Sequence, residues 1–172
     1  MSYIIRPWVA GDLKAVMRLI RESAAFHKAL DQLTTTPEIL RKDGFEKGST
    51  FGCLVAELPP EQKSKDGRTI IGYQFHYLSY CTWYGGILFG EDLYVVPEFR
   101  GKGIGTSLMN KVAKIALEKG CSEFRFISAR WNQPAMDFYA KLGAVNVTNR
   151  DHWHLCHIEG ESVRKLAEQA RK

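Results

Sequence analysis

The stretch from Glu91 to Lys119 constrains the chain most: a strand-like run, a loop of alternating glycines, then a helix. Glu91-Asp92-Leu93-Tyr94-Val95-Val96 leads into Arg100-Gly101-Lys102-Gly103-Ile104-Gly105. From about Thr106 to Lys119, Leu108, Val112, Ile115 and Ala116 recur at helical spacing, and Gly120 supplies the stop. Backbone N–H groups at a helix start lack acceptors, and the helix dipole favours an anion there. Alternating glycines let the backbone approach that anion and form a nest of donors. The loop is a candidate pyrophosphate cradle; a glycine-rich loop that merely turns the chain is the plainer reading of the same residues. A P-loop is excluded because Gly-x-x-x-x-Gly-Lys-Ser/Thr is absent. The dinucleotide fingerprint Gly-x-Gly-x-x-Gly is also unmatched, since the glycines here run Gly-x-Gly-x-Gly.

The elements around the loop point to one α+β domain over residues 1–172. Ile4 to Pro7 reads as a short strand, and Leu13, Val16, Met17, Ile20 and Ala24 mark a first helix. Thr36-Pro37-Glu38 is a capped start for a second, ending near Gly44. Phe51–Glu57, Ile70–Tyr80 and Ile87–Val96 read as an antiparallel meander, turned at Asp66-Gly67 and Gly85-Gly86. Glu123–Ala129 is expected as a strand, Pro134–Leu142 as a short helix, Trp153–Ile158 as a final strand and Glu161 onward as a tail helix.

Composition narrows the function classes. Hydrophobic residues make up 45% and charged residues 25%, as in soluble globular proteins. No apolar run approaches the roughly 20 residues that span a bilayer, and Met1-Ser2-Tyr3-Ile4-Ile5-Arg6-Pro7 has no signal-peptide layout. A cytoplasmic protein without a membrane partner is expected. The net charge of +5 comes from basic residues dispersed among acids, so nucleic acid is not expected as a partner. Cys53, Cys81, Cys121 and Cys156 form no CxxC pair. His152, His154 and His157 lack a cysteine or carboxylate to complete a tetrahedral set, so no metal is expected.

Arg100-x-x-Gly103-x-Gly105 after a strand, with Asn132 and Tyr139 downstream, resembles the acetyl-CoA motif of the GNAT superfamily. Adding Trp131-Asn132-Gln133-Pro134 and Phe138-Tyr139, the whole chain resembles the spermidine/spermine acetyltransferase branch, which also holds the thialysine Nε-acetyltransferases. The resemblance implies a mixed, mostly antiparallel central sheet flanked by helices, with strands that splay at the acetyl-CoA site. It implies acetyl-CoA as cosubstrate, no metal, a small-molecule amine substrate and a homodimer, with the C-terminal stretch from Trp153 a candidate to complete sites across the interface.

Acetyl transfer from a thioester to an amine has three needs: a base, because an alkylammonium has a pKa of about 10.4; a donor for the carbonyl oxygen; and an acid for the leaving thiolate. By resemblance, Glu91 is the base, acting through a water, and Tyr139 the acid; a phenol (about 10) reaches a thiol (about 8.5) at modest cost. Strand alternation sends Glu91 and Asp92 to opposite faces, and Asp92 is a counter-charge for a cationic substrate. The resemblance implies Leu93, Tyr94 and Val95 along the coenzyme, with the Val95 N–H toward the thioester carbonyl. It also implies Arg100, Gly101, Lys102, Gly103, Ile104, Gly105 and Thr106 around the phosphates, Arg125, Phe126 and Ile127 across the splay, and Asn132, Gln133, Pro134 and Ala135 nearby.

Phe26, Trp83 and Trp153 offer aromatic walls for a cation, or ordinary packing, and Asp151 is a further candidate acid. The chain departs from the polyamine-specific pattern at His27 and Cys81, where that branch carries acids; losing two anions removes about 1 to 4 kcal/mol of attraction each. Cys81-Thr82-Trp83 is more similar to the Ser-Thr-Trp of the thialysine enzymes. A thialysine-like or lysine-like amine is therefore expected ahead of a polyamine. A peptide lysine or N-terminal substrate, or a coenzyme-A-binding module without turnover, are the rival readings.

Overall fold

The computed structural model describes residues 1–171, which form two compact units divided after Ile127. In the first unit, β1 (Ile4–Pro7), β2 (Phe51–Glu57), β3 (Ile70–Cys81), β4 (Gly85–Val95) and β5 (Glu123–Phe126) make one sheet in that order. The first four strands pair antiparallel, and β5 lies parallel to β4. A parallel neighbour needs a crossover, and α3 (Ile104–Glu118) supplies it. The mixed, mostly antiparallel sheet and its flanking helices match the expected fold class.

Helices cover both faces. On one lie α1 (Leu13–Phe26) and α2 (Pro37–Phe45), over an aromatic layer in which the Trp8 ring meets Phe75 at 5.4 Å and Phe51 at 5.9 Å. α1 buries Leu13, Val16, Met17 and Leu19. α2 starts where Thr36 Oγ1 accepts the Ile39 N–H at 3.2 Å, with Pro37 in the first turn. On the other face α3 buries Ile104, Leu108, Met109, Val112 and Ala116. Gly72 makes room there: a Cβ on it would lie 3.6 Å from Leu108 Cδ1 and 2.9 Å from the Tyr94 carbonyl oxygen. At the entry to α1, Arg6 clamps Asp12 with two bonds of 2.7 and 2.9 Å, and Asp12 also accepts the Val9 N–H at 2.8 Å.

The second unit holds α4 (Gln133–Lys141), α5 (Val147–Asp151) and α6 (Glu161–Glu168). Asn132 Oδ1 caps α4 by accepting the Ala135 N–H at 3.3 Å, and Pro134 sits in its first turn. Two strand expectations are corrected. Trp153–Ile158 takes no regular structure, because its β-prone alternation pairs with no strand among the described residues, and a lone strand is not stable. β5 ends at Phe126 rather than Ala129, where its pairing with β4 stops. No helix among the described residues is long and apolar enough to cross a membrane.

Candidate active site

A β-bulge lies at the two acids of β4. Phe75 pairs with Asp92 and His76 with Gly90, so Glu91 is the extra residue on β4. Residues paired across a ladder point to the same side, and β3 alternates regularly through Tyr73, Phe75 and Tyr77. Tyr94 and Asp92 therefore share the α1 face with Tyr73 and Phe75, and so does Phe89, opposite Tyr77. Asp92 keeps the face of Tyr94 by plain alternation; the bulge is what brings Phe89, three residues before Asp92, onto that same face. The expected strict alternation across Glu91 and Asp92 does not hold. Burial pushes the Tyr77 phenol up, and the charge of Glu91 adds to the rise.

Asp92 belongs to a hydrogen-bonded cluster. Tyr73, fully buried, donates its hydroxyl to Asp92 Oδ2 at 2.6 Å. Ser23 of α1 faces the same phenol, and its carbonyl oxygen meets His27 Nδ1 at 2.8 Å. Burial pushes the Asp92 carboxyl above its ordinary value, while the Tyr73 hydroxyl, a positive charge on His27 and the Leu93 N–H pull it back. Glu91 is solvent-exposed, yet desolvation by the strand around it raises its carboxyl, and the Asp92 charge adds to the rise. A carboxylate pushed up toward neutrality suits a general base.

The strand edge beyond the bulge carries backbone donors. The Val96 N–H donates to the Ile71 carbonyl at 2.9 Å. Alternation then turns the N–H and C=O of Leu93 and Val95 away from β3. On that far side the β4–β5 ladder ends at Gly90 opposite Phe126. This is the expected splay. Arg100 occupies its end: its Nε donates to the Val95 carbonyl at 2.8 Å, and its guanidinium lies 5.3 Å from the Tyr94 ring centre and 5.5 Å from that of Phe26. The cation that Phe26 meets in this structure is Arg100. The Tyr94 hydroxyl in turn donates to Glu22 at 3.2 Å, and Glu22 is ion-paired with Arg68.

The glycine loop fits an anion. Gly101 and Gly103 have φ of 74° and 85°, values an L side chain rarely adopts. Gly103 is the N-cap of α3 and no side chain caps that end, so the amides of Ile104, Gly105 and Thr106 keep their donors for a ligand. A Cβ at Gly101 would meet nothing within 4 Å, as an open cradle requires. Lys102 extends its Nζ over the Phe99 ring at 5.3 Å. From β1's approach, Tyr3 pins the loop: its hydroxyl shares a hydrogen bond with Ser107 Oγ at 2.6 Å and reaches the Gly103 carbonyl at 3.4 Å.

The remaining candidates separate by unit. Trp83 is exposed at the tip of the β3–β4 hairpin, where Gly85 takes φ of 88°. Cys81 closes β3; the Trp83 and Tyr84 N–H groups and the Arg125 guanidinium hold its thiol below the ordinary value. Arg125 also binds Glu123 at 2.7 Å, and with Phe126 and Ile127 it ends β5's side of the splay. In the second unit, Asn132, Gln133, Pro134 and Ala135 form the start of α4, and Tyr139 is half-buried on the same helix with its ring against Phe138 at 5.2 Å. Asp151 is held below the usual carboxylate range by Arg150, 2.7 Å away, and Trp153 is exposed. No group of three metal-ligating side chains is assembled among the described residues.

Sequence reasoning missed Tyr73, Ser23, Glu22 and Tyr3. Tyr73 was visible only as one aromatic in an alternating strand; its partner is set by the β3–β4 register. Glu22 lies on the first helix's polar side, with no local pattern to mark it.

The residues 52–144 match the model of the acetyltransferase (GNAT) family. The chain is 44% identical to a thialysine N-epsilon-acetyltransferase from Sus scrofa, over 96% of this chain and 98% of that protein. It is 34% identical to the spermidine/spermine N(1)-acetyltransferase-like protein 1 of Homo sapiens, over 97% of this chain and 24% of the longer protein. Among solved structures, an integron cassette protein from V. cholerae superimposes with a TM-score of 0.73 at 23% identity, covering 98% of this chain and 99% of that one. A metagenomic aminoglycoside acetyltransferase does so with a TM-score of 0.67 at 20% identity, covering 92% and 95%. The family match over more than half of the chain and the near full-length relatives show that this chain belongs to the acetyltransferase (GNAT) family and is an acetyltransferase.

Proposed function

We infer that the protein transfers the acetyl group of acetyl-CoA to a small primary amine of the thialysine or lysine type. The observation that carries this reading is the pair of acids at the Glu91 bulge, beside the outward-turned amides of Leu93 and Val95. The amides at the start of α3 bind the coenzyme's pyrophosphate. Glu91 takes the ammonium proton through a water, and Asp92 offsets the positive charge of the incoming amine. The Val95 N–H donates to the thioester carbonyl as its oxygen gains charge. The amine nitrogen bonds to the carbonyl carbon, the carbon–sulfur bond breaks, Tyr139 gives its proton to the leaving thiolate, and the second proton shed by the acylated nitrogen restores the phenol.

Identity of 44% over nearly the full length of a thialysine enzyme supports the lysine-like amine and one domain over residues 1–172. A polyamine is the second reading; the half-buried Asp92 and the 34% identical spermidine/spermine-type relative favour it. We place the protein in the cytoplasm as a homodimer, with exposed Trp153, Leu155 and Ile158 as the surface to be covered. Thiol release from acetyl-CoA over thialysine, lysine, spermidine, putrescine and a lysine peptide tests the substrate. A preference for thialysine of about tenfold or more in kcat/KM, about 1.4 kcal/mol in the barrier, bears the reading out. A preference for spermidine or for the peptide overturns it.

A further inference from the structure

The buried phenol under the acid pair has no part in the chemistry derived so far. Tyr73 lies at the centre of β3, fully buried, with its ring 5.2 Å from Phe75 and 6.1 Å from Tyr94. A buried tyrosine needs a partner for its hydroxyl, and a backbone carbonyl would serve. Here it donates instead to Asp92 Oδ2, at the short distance of a charge-assisted bond, 2.6 Å. The contact follows from the register: Tyr94 lies opposite Tyr73, and Asp92, two residues along the same strand, shares its face. Ser23, itself buried, faces the phenol from α1, and the single proton of the Tyr73 hydroxyl goes to Asp92.

We propose that Tyr73 is a positioning residue for the amine: its hydroxyl holds Asp92 inward by Oδ2 as an anion, leaving Oδ1 to meet the ammonium group of the substrate. The inference rests on the reading in which Asp92 faces the amine and Glu91 takes its proton. The groups that act on Asp92 are Tyr73 from β3, His27 from α1 and the Leu93 N–H from β4. Its charge acts on Glu91 beside it and on the Cys53 thiol from β2. Glu91 is in turn sensed by Tyr77 of β3. Tyr73 donates from a fully buried position, so it keeps Asp92 charged without adding a cation that repels the amine. Burial works against the Asp92 anion, and a donor to a carboxylate favours its charged form. Asp92 and Glu91 titrate as a coupled pair; removing the donor raises the pH at which both are ionised.

The test is the pH profile of kcat/KM for the amine in wild type, Tyr73→Phe, Ser23→Ala and Asp92→Asn, with KM for acetyl-CoA and melting temperature measured alongside. Tyr73→Phe is expected to move the acid limb up by about one pH unit or more, which is about a tenfold loss below the limb. The loss closes at higher pH, and KM for acetyl-CoA stays put. Ser23→Ala moves the limb the same way by a smaller step, and decides the matter if Tyr73→Phe does not fold. A uniform loss across pH, or a profile superimposable on wild type while Asp92→Asn is impaired, overturns the role of Tyr73. Wild-type kcat/KM in Asp92→Asn overturns the amine-site reading itself, and the inference with it.

Discussion

Arg100 Nε donates to the carbonyl oxygen of Val95, five residues back, at 2.8 Å, and the guanidinium sits against the rings of Tyr94 and Phe26. The strand end and the glycine loop are thus joined by a side chain turned inward. Replacing Arg100 with Ala removes that donor and two cation–π contacts worth about 0.5 to 1 kcal/mol each. The expected result is KM for acetyl-CoA raised about tenfold with kcat changed less, since the loop loses its anchor while the acids remain. Arg100→Lys keeps charge without the fixed Nε donor and is expected to fall between. Steady-state kinetics with varied acetyl-CoA checks both.

Gly103 takes φ of 85° as the N-cap of α3. A side chain in the left-handed region costs about 1 to 2 kcal/mol, so Gly103→Ala is expected to lower stability by that amount in urea melts. It also shifts the amides that face the phosphates, and coenzyme A binding by calorimetry should weaken about tenfold or more. Gly101→Ala carries the same φ penalty without the helix cap and should weaken binding less.

Asp12 is buried, clamped by Arg6 and bonded by the Val9 N–H. Asp12→Ala leaves Arg6 partly unpaired and is expected to cost about 3 kcal/mol. The arginine and the Val9 N–H hold its carboxyl below the ordinary value in the folded state. The unfolded chain therefore binds this proton first as pH falls, and the contribution is complete above the unfolded carboxylate pKa of about 3.9. It is lost as pH falls through the folded value. Denaturant melts of wild type and Asp12→Asn should differ at neutral pH and converge as the pH falls into the acid range.

Tyr139→Phe removes the proposed acid while keeping the ring that packs on Phe138. A loss in kcat of about a hundredfold is expected for general acid catalysis, with coenzyme A affinity within about twofold of wild type. Full turnover by this variant would assign the thiolate proton to another donor.

Much of the fold was legible because its signals are local. Thr36-Pro37 marks a helix start whether or not the rest of the chain is known, and Gly101-Lys102-Gly103 reads as a cradle because φ and donor geometry depend on those residues alone. The bulge at Glu91 was not legible. It depends on which residue of β3 lies opposite Gly90, and nothing in Glu91-Asp92 records a one-residue slip. The pairing of Tyr73 with Asp92 was hidden for a related reason: it depends on Tyr94 lying opposite Tyr73, a register that no single strand records. Trp153–Ile158 shows the converse: its alternation is plain, but a strand needs a partner ladder, and that requirement is not written in the segment itself.

The most direct test of the account is the rate of acetyl transfer by Glu91→Gln at saturating acetyl-CoA, measured against pH with a lysine-like amine. Glu91 is raised by desolvation and by Asp92, and as the base it matters most where the amine is still protonated. The account predicts a loss of at least about a hundredfold near neutral pH, shrinking as pH approaches the amine's own pKa of about 10.4. A loss of less than about threefold at neutral pH, or one that is the same at every pH, would contradict it.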